Sequence, residues 1–155
     1  MASDEARFAH VGLCVTDLAR ARAFYEQAFG FTFWWETTPE DLPDHAVSTL
    51  LQLEEPVGLH AVYLVRDGLV LELLAYRPER YAPPRTRTMA EPGLTHISLA
   101  VPDVEVAIER VEQCGGTVLR DTLMGAVMVR DPDGQLIELV RAAWRESRPP
   151  LPAQN

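Results

Sequence analysis

FAHVGLCVTDLARARAFYEQAFGF, residues 8–31, returns in altered form as LTHISLAVPDVEVAIERVEQCGGT, residues 94–117. At a constant offset of 86, His10 meets His96, Val15 meets Val101, Asp17 meets Asp103 and Gly30 meets Gly116. A second match follows each of these. VYLVRDGLVLELL, residues 62–74, resembles VMVRDPDGQLIELV, residues 127–140, and Glu72 meets Glu138 at an offset of 66. Repetition on this scale marks a duplicated supersecondary unit, here with 20 extra residues in its first copy.

Each copy reads as strand, helix and then strands. Residues 8–15 alternate around His10 and are rich in Val and Leu, which predicts a strand. Asp17 is placed to cap the next helix, whose apolar positions Leu18, Ala21, Phe24, Tyr25 and Phe29 have helical spacing and which Gly30 ends. The aromatic run 31–36 suits a strand. Strands over 59–66 and 69–76 join at Asp67-Gly68, a hairpin signal. The second copy predicts a strand over 94–101, a helix over 103–114 and strands near 117–121, 125–130 and 135–141, with a turn at Asp131-Pro132-Asp133-Gly134. The extra residues lie between 37 and 58. Pro39, Pro43 and Asp44 mark a loop there, and Val47, Leu50, Leu51 and Glu54 on one helical face predict a short helix near 44–54.

Two histidines and two glutamates occupy matching places. His10 and His96 sit on the first strand of their copies, and Glu72 and Glu138 on the last. The flanks are apolar: Val70-Leu71-Glu72-Leu73-Leu74 and Leu136-Ile137-Glu138-Leu139-Val140. A carboxylate inside such a run is costly to bury without a partner. A single His–Glu pair reads most simply as a satisfied structural pair, or as a glutamate on the wet face of a sheet. Duplication also copies a structural pair as readily as a ligand pair. Both pairs together, each with apolar flanks, favour a divalent metal such as Zn, Ni, Co, Mn or Fe.

Composition narrows the partners. The chain has 155 residues and 47% hydrophobic content, enough for a sizeable core, and no apolar run approaches membrane-spanning length. With 23 acidic against 14 basic residues the net charge is -9, which repels phosphate backbones and argues against nucleic acid. No signal-peptide pattern stands behind residues 1–7, so a soluble, cytoplasmic protein is expected. Cys14 and Cys114 do not form a metal-binding pair and are expected as reduced thiols.

These motifs resemble the vicinal oxygen chelate superfamily, which includes glyoxalase I, methylmalonyl-CoA epimerase, extradiol dioxygenases and fosfomycin- and bleomycin-resistance proteins. The resemblance covers residues 8–141. It rests on His10 through Leu18, Phe24-Tyr25, Phe29-Gly30-Phe31, Leu71-Glu72-Leu73, Thr95-His96-Ile97 and above all Arg130-Asp131-Pro132-Asp133-Gly134-Gln135-Leu136-Ile137-Glu138-Leu139. It implies an α+β fold of two tandem βαβββ modules whose curled mixed sheets surround a central metal cavity. The expected organisation is one glyoxalase-like domain over 1–145, with module 1 at about 8–76, a linker at 77–93, module 2 at about 94–141 and a flexible tail at 146–155. It also implies a small-molecule substrate and a homodimer.

The same resemblance implies that His10, Glu72, His96 and Glu138 ligate the metal. Dioxygenases and fosfomycin-resistance enzymes of the superfamily typically use two histidines and one carboxylate. Members that move a proton beside a carbonyl typically fill the fourth place, as Glu72 does here. The leading expectation is therefore a metal-dependent isomerase, epimerase or lyase that works through an enediolate. Glu138 is the preferred base and Glu72 the second. A ring-cleaving extradiol-type dioxygenase using His10, His96 and Glu138, and a drug-sequestering binding protein, are the alternatives. Cys14 and Tyr76 replace the arginine and asparagine with which glyoxalase I handles glutathione, so the resemblance does not extend to that substrate. Gly12 and Cys14 share the His10 face, and Ser98 and Ala100 that of His96. Trp34 or Trp35, Tyr63, Met124 and Met128 are expected as cavity lining or plain core. His45 and His60 are expected at the surface or in loops.

Overall fold

The computed structural model describes residues 6–83, 85–86 and 88–150. The chain divides into two compact units: residues 1–26 with 30–83, and residues 27–29 with 84–155.

In the first unit the elements are β1 (Val11–Cys14), α1 (Leu18–Phe29), β2 (Thr32–Thr37), α2 (Asp44–Leu51), β3 (His60–Arg66) and β4 (Leu69–Ala75). The Asp17 carboxylate accepts from the Arg20 amide at 2.9 Å and caps α1. Gly30 ends the helix at φ 69°, the left-handed region where a side chain is strained. Its carbonyl accepts from Arg66 Nη1 at 3.0 Å, tying the helix end to β3. The sheet order is β1-β4-β3-β2, with β1 parallel to β4 and the other neighbours antiparallel. A crossover through the whole unit is what allows that parallel pair.

The second unit repeats the plan with β5 (Ile97–Val101), α3 (Val104–Gln113), β6 (Thr117–Leu119), β7 (Ala126–Arg130) and β8 (Leu136–Arg141), in the order β5-β8-β7-β6. Asp103 caps α3 by accepting from the amides of Glu105 and Val106. The most specific stretch of the sequence is a turn. The Asp131 carboxylate, nearly fully buried, accepts from the amides of Asp133 and Gln135 at 2.9 and 2.8 Å. These bonds hold the β7–β8 connection in register.

Both units are thus βαβββ, and the fold is the expected α+β pair of four-stranded mixed sheets. Boundaries moved in instructive ways. His10 and His96 immediately precede β1 and β5 rather than lying within them. The predicted strand at 117–121 stops at Leu119, where a 3-10 turn over Arg120–Thr122 takes over. A helix that the sequence reading missed, α4 (Ala142–Glu146), follows β8 and ends where the expected tail begins, and residues 151–155 of that tail lie outside the described residues.

The inserted helix formed where expected but turns a different face inward. Val47 is buried, whereas Leu50 is 81% exposed. Side-chain acceptance by Asp44 explains its seat. The carboxylate takes the Val57 amide at 2.9 Å and the Gly58 amide at 2.8 Å, fastening the first turn of α2 to the far end of the insertion. The Gly58 and Val57 amides hold the Asp44 carboxyl below its ordinary value of 3.8. A depressed folded-state value contributes stability that is present above the ordinary value and lost as pH falls through the folded one. The wild-type advantage over Asp44→Asn in thermal unfolding should therefore be constant above about pH 5 and vanish in stronger acid. An advantage that is the same at every pH would contradict this.

Candidate functional site

Alternation along the last strands decides where the two glutamates point. In β4, Leu71 and Leu73 are fully buried, so Glu72 between them faces the opposite side of the sheet. In β8, Ile137 and Leu139 are fully buried and Glu138 takes the opposite face in the same way. Neither carboxylate is locked in the core, although Glu72 is the more enclosed, its side chain 13% exposed against 32% for Glu138. The immediate neighbours Leu71 and Leu73, and Ile137 and Leu139, belong to the opposite, buried face, and this is why a glutamate is tolerated between them.

In the first unit Glu72 stands between Gly12 on β1 and Tyr63 on β3. Its two oxygens are both engaged. The Tyr63 hydroxyl donates to Oε1 at 2.6 Å, and His10 Nε2 lies 3.0 Å from Oε2. Burial, then the hydrogen bond to Glu72 and its negative charge, push the Tyr63 phenol up to about 12, so it remains a donor. A Cβ on Gly12 would come within 3.5 Å of Glu72 Oε2, so glycine leaves that side of the carboxylate open. The His10 ring meets Tyr63 edge-on at 6.0 Å.

The second unit uses the same places differently. Glu138 stands between Ser98 on β5 and Met128 on β7. The Ser98 hydroxyl donates to Glu138 Oε2 at 2.8 Å. His96 Nε2 lies 3.7 Å from that oxygen, while its Nδ1 is 2.9 Å from Thr95 Oγ1. Among the described residues, Glu138 Oε1 has no hydrogen-bond partner. One carboxylate is therefore held at both oxygens and the other at one.

The structure brings the four predicted ligands together as two pairs, one in each unit. Among the described residues it gathers no group of three or more His, Cys, Asp or Glu side chains that would hold a metal ion alone. Within each pair the donors suit a divalent ion. Two ligand atoms sharing a metal at ordinary bond lengths stand roughly 3.0–3.4 Å apart. The His10–Glu72 distance falls on that range and the His96–Glu138 distance slightly beyond it. An imidazole beside a carboxylate is the chemistry that Zn, Mn or Fe accepts.

Other expectations fared unevenly. Met124 is 91% exposed and Met128 lies beside Glu138. His45 is at the surface, beside Glu55 at 2.8 Å. His60 is not a loop residue: it opens β3 and pairs with Glu36. Ser98 was read as sharing the His96 face, but its bond to Glu138 was missed. The signal is the parallel register, which sets Ser98 opposite Glu138. No helix of the described residues is long and apolar enough to cross a membrane.

Comparison with known proteins agrees with this architecture. Among solved structures the chain is similar to a glyoxalase family protein from Bacillus cereus, at 19% identity and a TM-score of 0.74, covering 90% of this chain and 96% of that one. It is similar to the trypanothione-dependent glyoxalase I of Leishmania major, at 22% identity and a TM-score of 0.65, with 92% and 91% covered. It is also similar to the fosfomycin resistance protein FosX of Listeria monocytogenes, solved with Mn(II) and sulfate, at 18% identity and a TM-score of 0.55, with 87% and 91% covered. These likenesses show the fold. Among curated proteins there is no match. A family model described as the Glyoxalase/Bleomycin resistance protein/Dioxygenase superfamily matches residues 7–139, a span that holds both His–Glu pairs. The chain belongs to that superfamily.

Proposed function

We propose that this chain is a metal-dependent enzyme of the glyoxalase and epimerase type, moving a proton on a carbon beside a carbonyl of a small molecule. His10, Glu72, His96 and Glu138 are its metal ligands. The observation that carries this reading is the repeated pair: a histidine nitrogen facing a glutamate oxygen at 3.0 Å in one unit and 3.7 Å in the other. A bound divalent ion supplies stabilisation for negative charge on a substrate oxygen.

The chain's own groups supply the rest. Glu138 takes the carbon-bound proton as its electron pair moves onto the carbonyl oxygen, and returns it to complete the turnover. The free Oε1 supports Glu138 as that base. Glu72, with Tyr63 on one oxygen and His10 against the other, is suited to holding rather than to proton transfer. Ser98 keeps Glu138 Oε2 in place. An extradiol-type dioxygenase is the second reading, favoured by the exposed aromatic side chains of β2.

Elemental analysis of protein purified without chelator or metal-affinity tag tests the reading. Stoichiometric divalent metal is expected, with a large loss in His10→Ala and in His96→Ala. Solvent deuterium should enter 2-hydroxy ketones or acyl thioesters only in the metal-loaded protein. Metal-dependent oxygen uptake on catechols, without exchange on any of these compounds, would select the dioxygenase instead.

A further inference from the structure

An aromatic wall stands beside the His10–Glu72 pair, and it is made by an irregularity in β2. Phe33 pairs with Leu64 and Trp35 with Tyr63, so the register shifts between them and Trp34 is the extra residue. A bulge of this kind bends the strand and re-aims side chains that regular alternation would send to opposite faces. Here both indoles meet the Tyr63 ring. Trp35 stacks on it, with centroids 5.9 Å apart and planes at 28°, and Trp34 meets it edge-on at 6.4 Å. Both tryptophans are nevertheless 60% exposed. Exposing two adjacent indoles is costly for a protein that has no use for them.

We propose that Trp34, Trp35 and Tyr63 form a binding surface for a flat aromatic ring whose oxygen substituents lie at one edge. The inference rests on the proposed function, for which it names the substrate class. The wall is short, and Tyr63 joins its two ends. The ring of Tyr63 carries Trp35, and its hydroxyl is bonded to Glu72. An occupant is therefore flat and apolar where it meets the indoles and polar where it reaches the His10–Glu72 pair. At that end the Tyr63 hydroxyl and the proposed metal ligands His10 and Glu72 suit an oxygen substituent, a carbonyl or a hydroxyl group. A small aryl hydroxy ketone has this form.

The test compares 2-hydroxyacetophenone with its cyclohexyl counterpart, 1-cyclohexyl-2-hydroxyethanone, which keeps the oxygens and loses the flat ring. Binding is measured by calorimetry on the full chain, with metal content determined in the same samples. Wild type should bind the phenyl compound about five- to tenfold more tightly, the range expected for ring stacking. Trp35→Val should erase that preference and leave the cyclohexyl compound within about twofold, with Trp34→Val weaker in the same direction. Valine is a strong strand former and both sites are exposed, so these variants should fold, which circular dichroism checks. Tyr63→Phe keeps the ring and should keep the preference.

Equal binding of the two compounds by wild type, or a preference that survives Trp35→Val, overturns the proposal. So does a Trp35→Val protein that keeps the preference but sediments as a smaller species, for the wall is then a contact between copies. Metal content separates the two claims. A metal-free protein that still prefers the phenyl compound sinks the proposed function and leaves the ring site standing. A metal-loaded protein without the preference does the reverse.

Discussion

Glu138→Gln should retain most of its metal while solvent deuterium exchange falls roughly 10²- to 10⁴-fold, the usual contribution of a positioned general base. The amide keeps an oxygen able to ligate and to accept from Ser98, but it does not take up a proton at neutral pH. The same change at Glu72 should act otherwise. Glu72 is gripped by Tyr63 and lies against His10, so Glu72→Gln disturbs a held carboxylate and, on the proposed function, should show first as weaker metal retention. The measurement is paired: metal per chain by elemental analysis, and exchange by mass spectrometry on the loaded protein. If Glu138→Gln exchanges at the wild-type rate while Glu72→Gln does not, the two glutamates have been assigned the wrong way round.

Leu73→Ala should cost about 2–5 kcal/mol of stability, the range for truncating a buried leucine. For a chain of this size that lowers the unfolding midpoint by roughly 4–20 °C. Leu73 is fully buried in β4, opposite Leu13 on one neighbour and Val62 on the other, and all three are core residues. The wide range reflects how far these neighbours can close the cavity. Leu74, one place along and only half-buried, is the control, and its truncation should cost much less. Thermal denaturation of the two variants checks the difference, and equal losses would mean that the two faces of β4 are not as distinct as the burial pattern indicates.

Much of this was legible before any coordinates. The duplication, the cap at Asp17 and the hairpin turns are local signals, and each produced its element. The matching places of His10 with His96 and Glu72 with Glu138 were legible too, because a repeat compares a sequence with itself. What the sequence did not disclose depends on register. Glu72 and Glu138 look equivalent along the chain, and only their cross-strand neighbours separate them: Gly12 and Tyr63 for one, Ser98 and Met128 for the other. The two tryptophans posed the same difficulty. Alternation allows one of two adjacent residues on a face, and no residue type in Phe33-Trp34-Trp35 announces the bulge that brings both to Tyr63. The helix face of α2 was misjudged because Leu50 is apolar but faces solvent, and periodicity cannot weigh an exposed leucine against a buried one.

The parallel pairing of β1 with β4, and of β5 with β8, orders events during synthesis. Val11 pairs with Leu71 and Ile97 with Ile137, so closing the first sheet joins points 60 residues apart and the second only 40. On loop-closure entropy alone the second unit closes about twofold faster. In both, the first strand waits for the last, because its one partner in the sheet is the final strand to leave the ribosome. Until β4 emerges, Leu13 lacks the neighbouring strand beside which it is buried in the finished sheet. Glu72 arrives on that same closing strand, as Glu138 does on β8. A stalled or truncated unit therefore holds His10 or His96 without the glutamate that faces it in the finished fold.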